Sequence, residues 1–321
     1  MSASGQEEST FSRASAEVLF MRVPAGRVDY SVFAEAEGTH FFSGRTVHNE
    51  ASVWVRQNLG IRVGDAGNLS CPVTGYYDDK VFDKSDTEVE RLVAELKVRG
   101  VMAAPAIRWK FYPGWWIEGQ GTAQRERFVD GANDNRTRHA ALRLNWSAKD
   151  RLGVKLSATR RWRDFDVRTQ YSAAGRELSG THLEVEEDEG ECAVNLKWGQ
   201  NAAWQTTTRA GVLRYRDNGS GYFNYREKKI GQELEWTREP WLVRLSAEAR
   251  RVEFEVRTVG ISTDPPPWIK DGYEAKVHVE YKVSDRWTVY GGYSWERTRS
   301  NDKVVSYVVN EGLLGVRWSW E

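Results

Sequence analysis

Apolar and polar residues alternate along most of this chain, over runs longer than an ordinary soluble strand. Trp241, Val243, Leu245, Ala247 and Ala249 oppose Arg244, Ser246, Glu248 and Arg250. Tyr273, Ala275, Val277, Val279 and Tyr281 oppose Glu274, Lys276, His278, Glu280 and Lys282. Ala140, Leu142, Leu144 and Trp146 oppose His139, Arg143 and Asn145, and Leu152, Val154, Leu156 and Ala158 oppose Lys155, Ser157 and Thr159. The same pattern holds from Val28 to Ala36 and from Val53 to Val63. A strict period of two gives each segment one apolar and one polar face, which is the pattern of β-strands. Many of these segments run about 13–17 residues, where soluble strands cluster near 5–6.

The expected strands are 11–23, 27–41, 50–63, 69–83, 87–111, 115–128, 137–148, 152–167, 181–198, 203–217, 222–238, 241–257, 272–284, 286–300 and 304–320. That is fifteen, and the even number usual in bacterial barrels predicts one more, N-terminal or within the first five. Residues 87–98 can also be read as a short amphipathic helix, but one strand reaching Phe111 keeps the later strands alternating in direction.

Tryptophan recurs at the short turns. Trp115, Trp146, Trp198, Trp204, Trp236, Trp241 and Trp287 flank them, and Trp318 and Trp320 lie at the end of the sequence. Indole rings gather at one level where a membrane meets water, because the ring is apolar with a polar N–H. Core tryptophans of a soluble β-protein are the other reading, but those have no reason to collect beside turns. The connections on the opposite side are long, as in 166–180 and 260–268, and alternation fades there into residues polar on both faces. Short turns on one side and long loops on the other form the pattern of a membrane barrel.

Composition then narrows the function. Lys plus Arg and Asp plus Glu each number 46, so the net charge is zero and a nucleic-acid binder is not expected. Mean hydropathy is −0.64 and no apolar run is long enough for a transmembrane helix. Neither value counts against a barrel, in which only alternate residues face lipid. Cys71 and Cys192 lie in no metal-ligand spacing and read as two lone thiols, with a disulfide between them left open. Residues 1–10 form a polar segment without the apolar core of a signal peptide, so the export signal a barrel needs is absent here. No HExxH, GxSxG or glycine-rich phosphate loop is present, and neither a metal, a cofactor nor enzymatic activity is expected.

The last segment carries the most specific sign. Gly312, Leu314, Val316, Trp318 and Trp320 alternate with Leu313, Gly315, Arg317 and Ser319, followed by Glu321. This resembles the closing strand of bacterial outer-membrane β-barrel proteins, and the resemblance covers about residues 10–320 as architecture. It implies an all-β fold: one antiparallel up-and-down transmembrane β-barrel of about 16 strands (range 14–18) formed by residues 11–321. It also implies outer-membrane localisation, the lipid bilayer as partner, and recognition of the last strand by the barrel-assembly machinery.

The polar faces nearest the Trp turns carry Arg62, Arg108, Lys110, Arg143, Lys155, Lys197, Arg209, Arg244, Lys282 and Arg317, against Glu118, Glu235 and Glu233. Toward the loops Glu35, Glu37, Glu184, Glu186 and Asp188 turn the balance acidic. A charged ring within a low-dielectric wall biases which ions enter. The expectation is a pore or export channel for hydrophilic solutes with a basic inner half. A closed lumen of paired charges is the plain alternative. Two other functions stay open: a barrel sheathing a periplasmic electron-transfer protein, and a surface hydrolase built on His40, His48 and His182.

Overall fold

A computed structural model describes residues 11–22, 26–42, 49–83, 93–129, 131, 133–148, 151–260 and 263–318. Sixteen strands form one antiparallel sheet. They are β1 (Phe11–Arg22), β2 (Val28–Phe41), β3 (Asn49–Val63), β4 (Gly67–Asp83), β5 (Val93–Ala103), β6 (Ala106–Tyr112), β7 (Trp115–Phe128) and β8 (Asn135–Ala148). Then follow β9 (Leu152–Phe165), β10 (Glu184–Trp198), β11 (Trp204–Asp217), β12 (Tyr225–Arg238), β13 (Trp241–Thr258), β14 (Pro267–Lys282), β15 (Trp287–Ser300) and β16 (Tyr307–Trp318). Strands pair in sequence order from β1 to β16, except that β5 and β6 both lie between β4 and β7, which is the up-and-down barrel topology. β5 and β6 together make one crossing, so β1 and β16 run in the same direction.

The split between β5 and β6 has a local cause. Pro105 has no N–H for the ladder, and Pro72 occupies the adjoining level of β4. The register survives, with Val73 opposite Ala103 and Ser70 opposite Ala106. Ala104 N donates to Pro72 O at 2.9 Å and Gly121 N to Pro105 O at 2.9 Å, so the remaining backbone groups are used. The expected single strand over 87–111 is therefore two, and its stretch before residue 93 lies outside the described residues, as do segment 1–10 and Trp320. The expected strand at 181–198 starts at Glu184, because Leu183 turns into a buried cluster with Phe165 and Val185.

Register sorts the side chains into two faces. One row reads Leu142, Ala158, Gly190, Val212, Lys228 across five strands. Its apolar members belong to a face that is openly exposed: Leu142 is 54%, Val212 and Ile230 are 58% and Leu314 is 83% accessible. The whole described chain buries only seven hydrophobic residues, and none of its large side chains is fully buried. A soluble protein of this size could not stand on such a core. Returning each Leu, Val or Ile of that face to an apolar medium is worth about 1.5–3 kcal/mol. The outward face is the hydrophobic one, and lipid is the solvent that stabilises it.

The tight turns end this face in indole. Trp115 pairs with Trp146, Trp198 with Trp204, Trp204 with Trp236, and Trp287 with Trp318, at centroid distances of 5.8, 5.1, 5.9 and 6.0 Å. Trp241 lies 4.6 Å from Tyr281. The turn Tyr112-Pro113-Gly114-Trp115 needs its glycine, since φ is +77° and a Cβ would meet the Ser147 carbonyl oxygen at 2.3 Å. Cys71 and Cys192 are free thiols on separate strands of the outward face.

Leu142→Arg on this face should destabilise the folded barrel by about 2–4 kcal/mol, while Ser157→Arg on the opposite face should cost far less. Urea titration in phospholipid vesicles, read by heat-dependent gel migration, checks the difference. Equal effects would refute the facing.

Candidate functional site: the lumen face

The opposite face lines the lumen. By register, Arg62, Arg108, Lys110, Arg143, Lys155, Lys197, Arg209, Arg244, Lys282, Arg317, Glu118 and Glu235 share the face opposite the apolar one. Six of the ten cations have acidic partners. Arg143 pairs with Glu118 and also donates to Gln120 at 2.9 Å. Arg244 meets Glu235 at 2.6 Å, Arg209 meets Glu233 at 3.5 Å, and Arg317 meets Glu280 at 3.5 Å. Arg62 lies 3.7 Å from Asp29 and Lys282 lies 2.9 Å from Asp285. In its turn, Asp285 is held below the usual carboxylate range by Lys282.

Four cations remain without an acidic partner among the described residues. Arg108 lies over the Trp116 ring at 4.7 Å, and Lys110, Lys155 and Lys197 make no ion pair. Lys155 helps line a recess of about 490 Å³ with Trp116, Asn145, Asn195, Thr207 and Arg209. Together these residues form a basic arc on the lumen face near the tight turns.

Toward the loops the acidic set differs from the one expected. Glu35 and Glu37 do face the lumen. Glu184, Glu186 and Asp188 do not: β10 runs without a bulge from Trp198, so they share the outward face of Leu196 and Val194. The lumen acids of β10 are Glu187, Glu189 and Glu191, held by Arg161 at 2.7 Å and by Lys229 at 2.7 and 3.8 Å. A run acidic on both faces carries no period, and only register separates its faces.

The lumen face also holds a polar network on β4, β7 and β8. Tyr76 donates to Glu126 at 2.5 Å and accepts from Gln124 at 2.7 Å. Asn135, which is buried, donates to Glu126 at 3.0 Å and accepts from Thr137 at 3.1 Å. Trp54 stacks on Tyr76 at 4.7 Å. Across from the Tyr76 ring stands Gly100, where a Cβ would come within 2.3 Å of the ring.

Above this lies a loop cluster with no counterpart in the sequence pattern. A short hairpin, Gln170–Tyr171 with Glu177–Leu178, brings Tyr171 to 5.5 Å from Tyr222 and 5.1 Å from Phe223. Arg257 lies 4.3 Å from the Trp268 ring and 4.8 Å from Tyr222. The Tyr171 phenol is pushed up by its hydrogen bond to Glu177 and then by burial. Of the histidines named for hydrolysis, His48 is outside the described residues. His40 bonds Asn49 at 2.7 Å on β2, and His182 sits in the loop before β10, so the structure does not bring them together.

No protein-family model matches the chain, and no curated protein sequence does. Solved structures do. The copper transporter OprC matches at TM-score 0.58 and 10% identity over 97% of this chain and 59% of its own. The alcaligin outer-membrane receptor FauA of Bordetella pertussis matches at 0.53 and 8% identity, over 95% of this chain and 62% of its own. The chain thus spans about three fifths of the length of these two structures. OmpT, an outer-membrane protein of Vibrio cholerae, matches at 0.46 and 13% identity over 97% of this chain and 96% of its own.

With the lipid-facing belt and the sheet order already established, these likenesses define the class: the chain has the fold of a bacterial outer-membrane β-barrel protein. The outer membrane is its place. One expectation is corrected here. The chain was expected not to be an enzyme, and that exclusion does not stand: likeness to the copper transporter and the alcaligin receptor is one of architecture, and a shared architecture neither assigns nor excludes an activity. The absence of sequence motifs was too narrow a ground for it.

Gly100→Val should push the Tyr76 ring off its seat and break its bond to Glu126. Loss of folding stability of about 1–3 kcal/mol is expected from overpacking. Tyr76→Ala in the same background should recover part of it, and failure to do so would remove the ring clash as the cause.

Proposed function

We propose that this barrel is a pore for small hydrophilic solutes, with a lumen that favours anions. The observation that carries the reading is the basic arc of Arg108, Lys110, Lys155 and Lys197, which the lumen acids leave uncompensated. Near the opposite end Glu187 is engaged by Arg161, and Glu189 and Glu191 share Lys229. Unpaired cations in a water-filled, low-dielectric tube lower the energy of an anion passing them.

In this reading the Trp-flanked turns are periplasmic and the long loops external. The indole rows at Trp115, Trp146, Trp198, Trp204, Trp236, Trp241, Trp287 and Trp318 anchor the barrel at the inner interface of the bilayer. The final strand serves as the mark for the assembly machinery.

Reversal potentials in planar bilayers under a potassium chloride gradient test the selectivity. The wild-type barrel should pass chloride in preference to potassium. Lys110→Glu, Lys155→Glu and Lys197→Glu together should move the potential toward the cation side. A cation-selective wild type, or no conductance from folded barrel, would overturn the reading.

A further inference from the structure

On the outward face, at the loop end of the apolar belt, six cations share three adjacent strands: Lys97 and Arg99 on β5, Arg125 and Arg127 on β7, Arg136 and Arg138 on β8. Their side is fixed by register. Arg99 is two residues from Val101, which is 53% exposed, and Arg138 is four from Leu142, at 54%. The intervening residues, Gly100, Gln124, Glu126, Asn135 and Thr137, face the lumen and carry the polar network described above.

The pairing within this patch is unfavourable as it stands. Arg99 lies directly opposite Arg127, and Arg125 directly opposite Arg136. Like charges at directly opposed positions, with Cβ atoms about 5 Å apart, destabilise a sheet. Asp79 meets Lys97 at 3.2 Å, and Asp166 takes both terminal nitrogens of Arg125. Arg136 stands opposite Asp164 of β9, whereas Arg99, Arg127 and Arg138 have no acidic partner among the described residues, and all three are exposed. Three uncompensated guanidinium groups concentrated this way indicate an anion from outside the chain.

What lies below the patch says which kind. Continuing down β7 from Arg125, the outward residues are Ala123, Gly121 and Gly119, all small. At the Pro105 break they open into a groove of about 570 Å³ lined by Leu59, Ile61, Leu69, Cys71, Ile107 and Gly119. The groove is apolar and lies within the lipid belt. Arg99 lies six residues above Pro105 and Arg127 six above Gly121, at the level where a leaflet's head groups meet its chains.

We infer that this surface is a binding site for a phosphate-bearing lipid of the leaflet at the loop end. Its phosphate sits among Arg99, Arg127 and Arg138, and one acyl chain lies in the groove beside Pro105. Arginine suits a phosphate monoester, since its planar fork gives paired charge-assisted hydrogen bonds. The site needs both chemistries at once: free phosphate supplies no chain, and an uncharged lipid leaves the cations uncompensated.

The test uses the full chain, folded into nanodiscs of phosphatidylcholine alone or with diphosphoryl lipid A added. Wild-type barrel should retain the phosphorylated lipid through purification, and the triple variant Arg99→Gln, Arg127→Gln, Arg138→Gln should bind it at least about tenfold more weakly. Arg297→Gln with Arg299→Gln, on the outward face of β15, should leave binding unchanged. A second measurement separates ligand contact from folding. In pure phosphatidylcholine, Arg127→Gln should raise the unfolding midpoint by relieving the Arg99 repulsion. With the phosphorylated lipid present it should lower it. Equal lipid binding by wild type and triple variant, or the same sign of effect in both bilayers, would overturn the inference. So would inorganic phosphate matching the lipid in stabilising the wild type, since that outcome assigns the patch to a free anion.

Discussion

Every structural feature of this chain depends on one constraint: a backbone that crosses hydrocarbon must satisfy each N–H and C=O from its own neighbours. An unsatisfied group there costs several kcal/mol. Long strands paired in sequence meet the demand with few interruptions. The instructive place is Pro72 and Pro105, where two residues without N–H groups fall at adjoining levels of facing strands. The chain responds by splitting one crossing into β5 and β6 while Ala104 and Gly121 keep their donors in use at 2.9 Å. Register is unchanged through the break, so every side chain beyond it stays on its proper face.

With the backbone satisfied by pairing, the two faces are free to answer two solvents. The outward face stabilises the fold through contact with lipid, which replaces the interior core that the chain lacks. The lumen face contributes less. Its ion pairs are half exposed to water, where such pairs are worth about 0–1 kcal/mol each. Stability and selectivity are therefore separable here. Charge on the lumen face can change over evolution at small cost, while a charge on the belt cannot.

Much of this was legible in the residues. The alternation of Tyr273 to Lys282 and the tryptophans at the turns fixed the strand faces and the tight-turn end before any coordinate, and all twelve named lumen charges fall on one face. What failed did so for a definable reason. Glu184, Glu186 and Asp188 sit in a run acidic at every position, so their face was set by pairing with β9 and not by local pattern. Asp29 and Glu280, which meet Arg62 and Arg317, were missed because their partners lie on other strands. The loop cluster around Tyr171, Tyr222 and Arg257 has no period at all, since it is assembled from two separate connections and the ends of β13 and β14.

The same limit hid the arginine patch. Arg99, Arg127 and Arg136 are unremarkable in sequence, each one polar residue in an alternating segment. They become a feature only when register sets Arg99 against Arg127 and Arg125 against Arg136. The outward face thus ends in indole at the tight turns and, across β5, β7 and β8, in guanidinium at the loops. A symmetric bilayer would give no reason for that difference. A membrane whose two leaflets carry different head groups does, because an amphipathic ring suits any interface while a cluster of unpaired guanidinium groups suits only an anionic one. On the lipid-binding inference, the asymmetry of the barrel wall answers an asymmetry of the membrane it crosses.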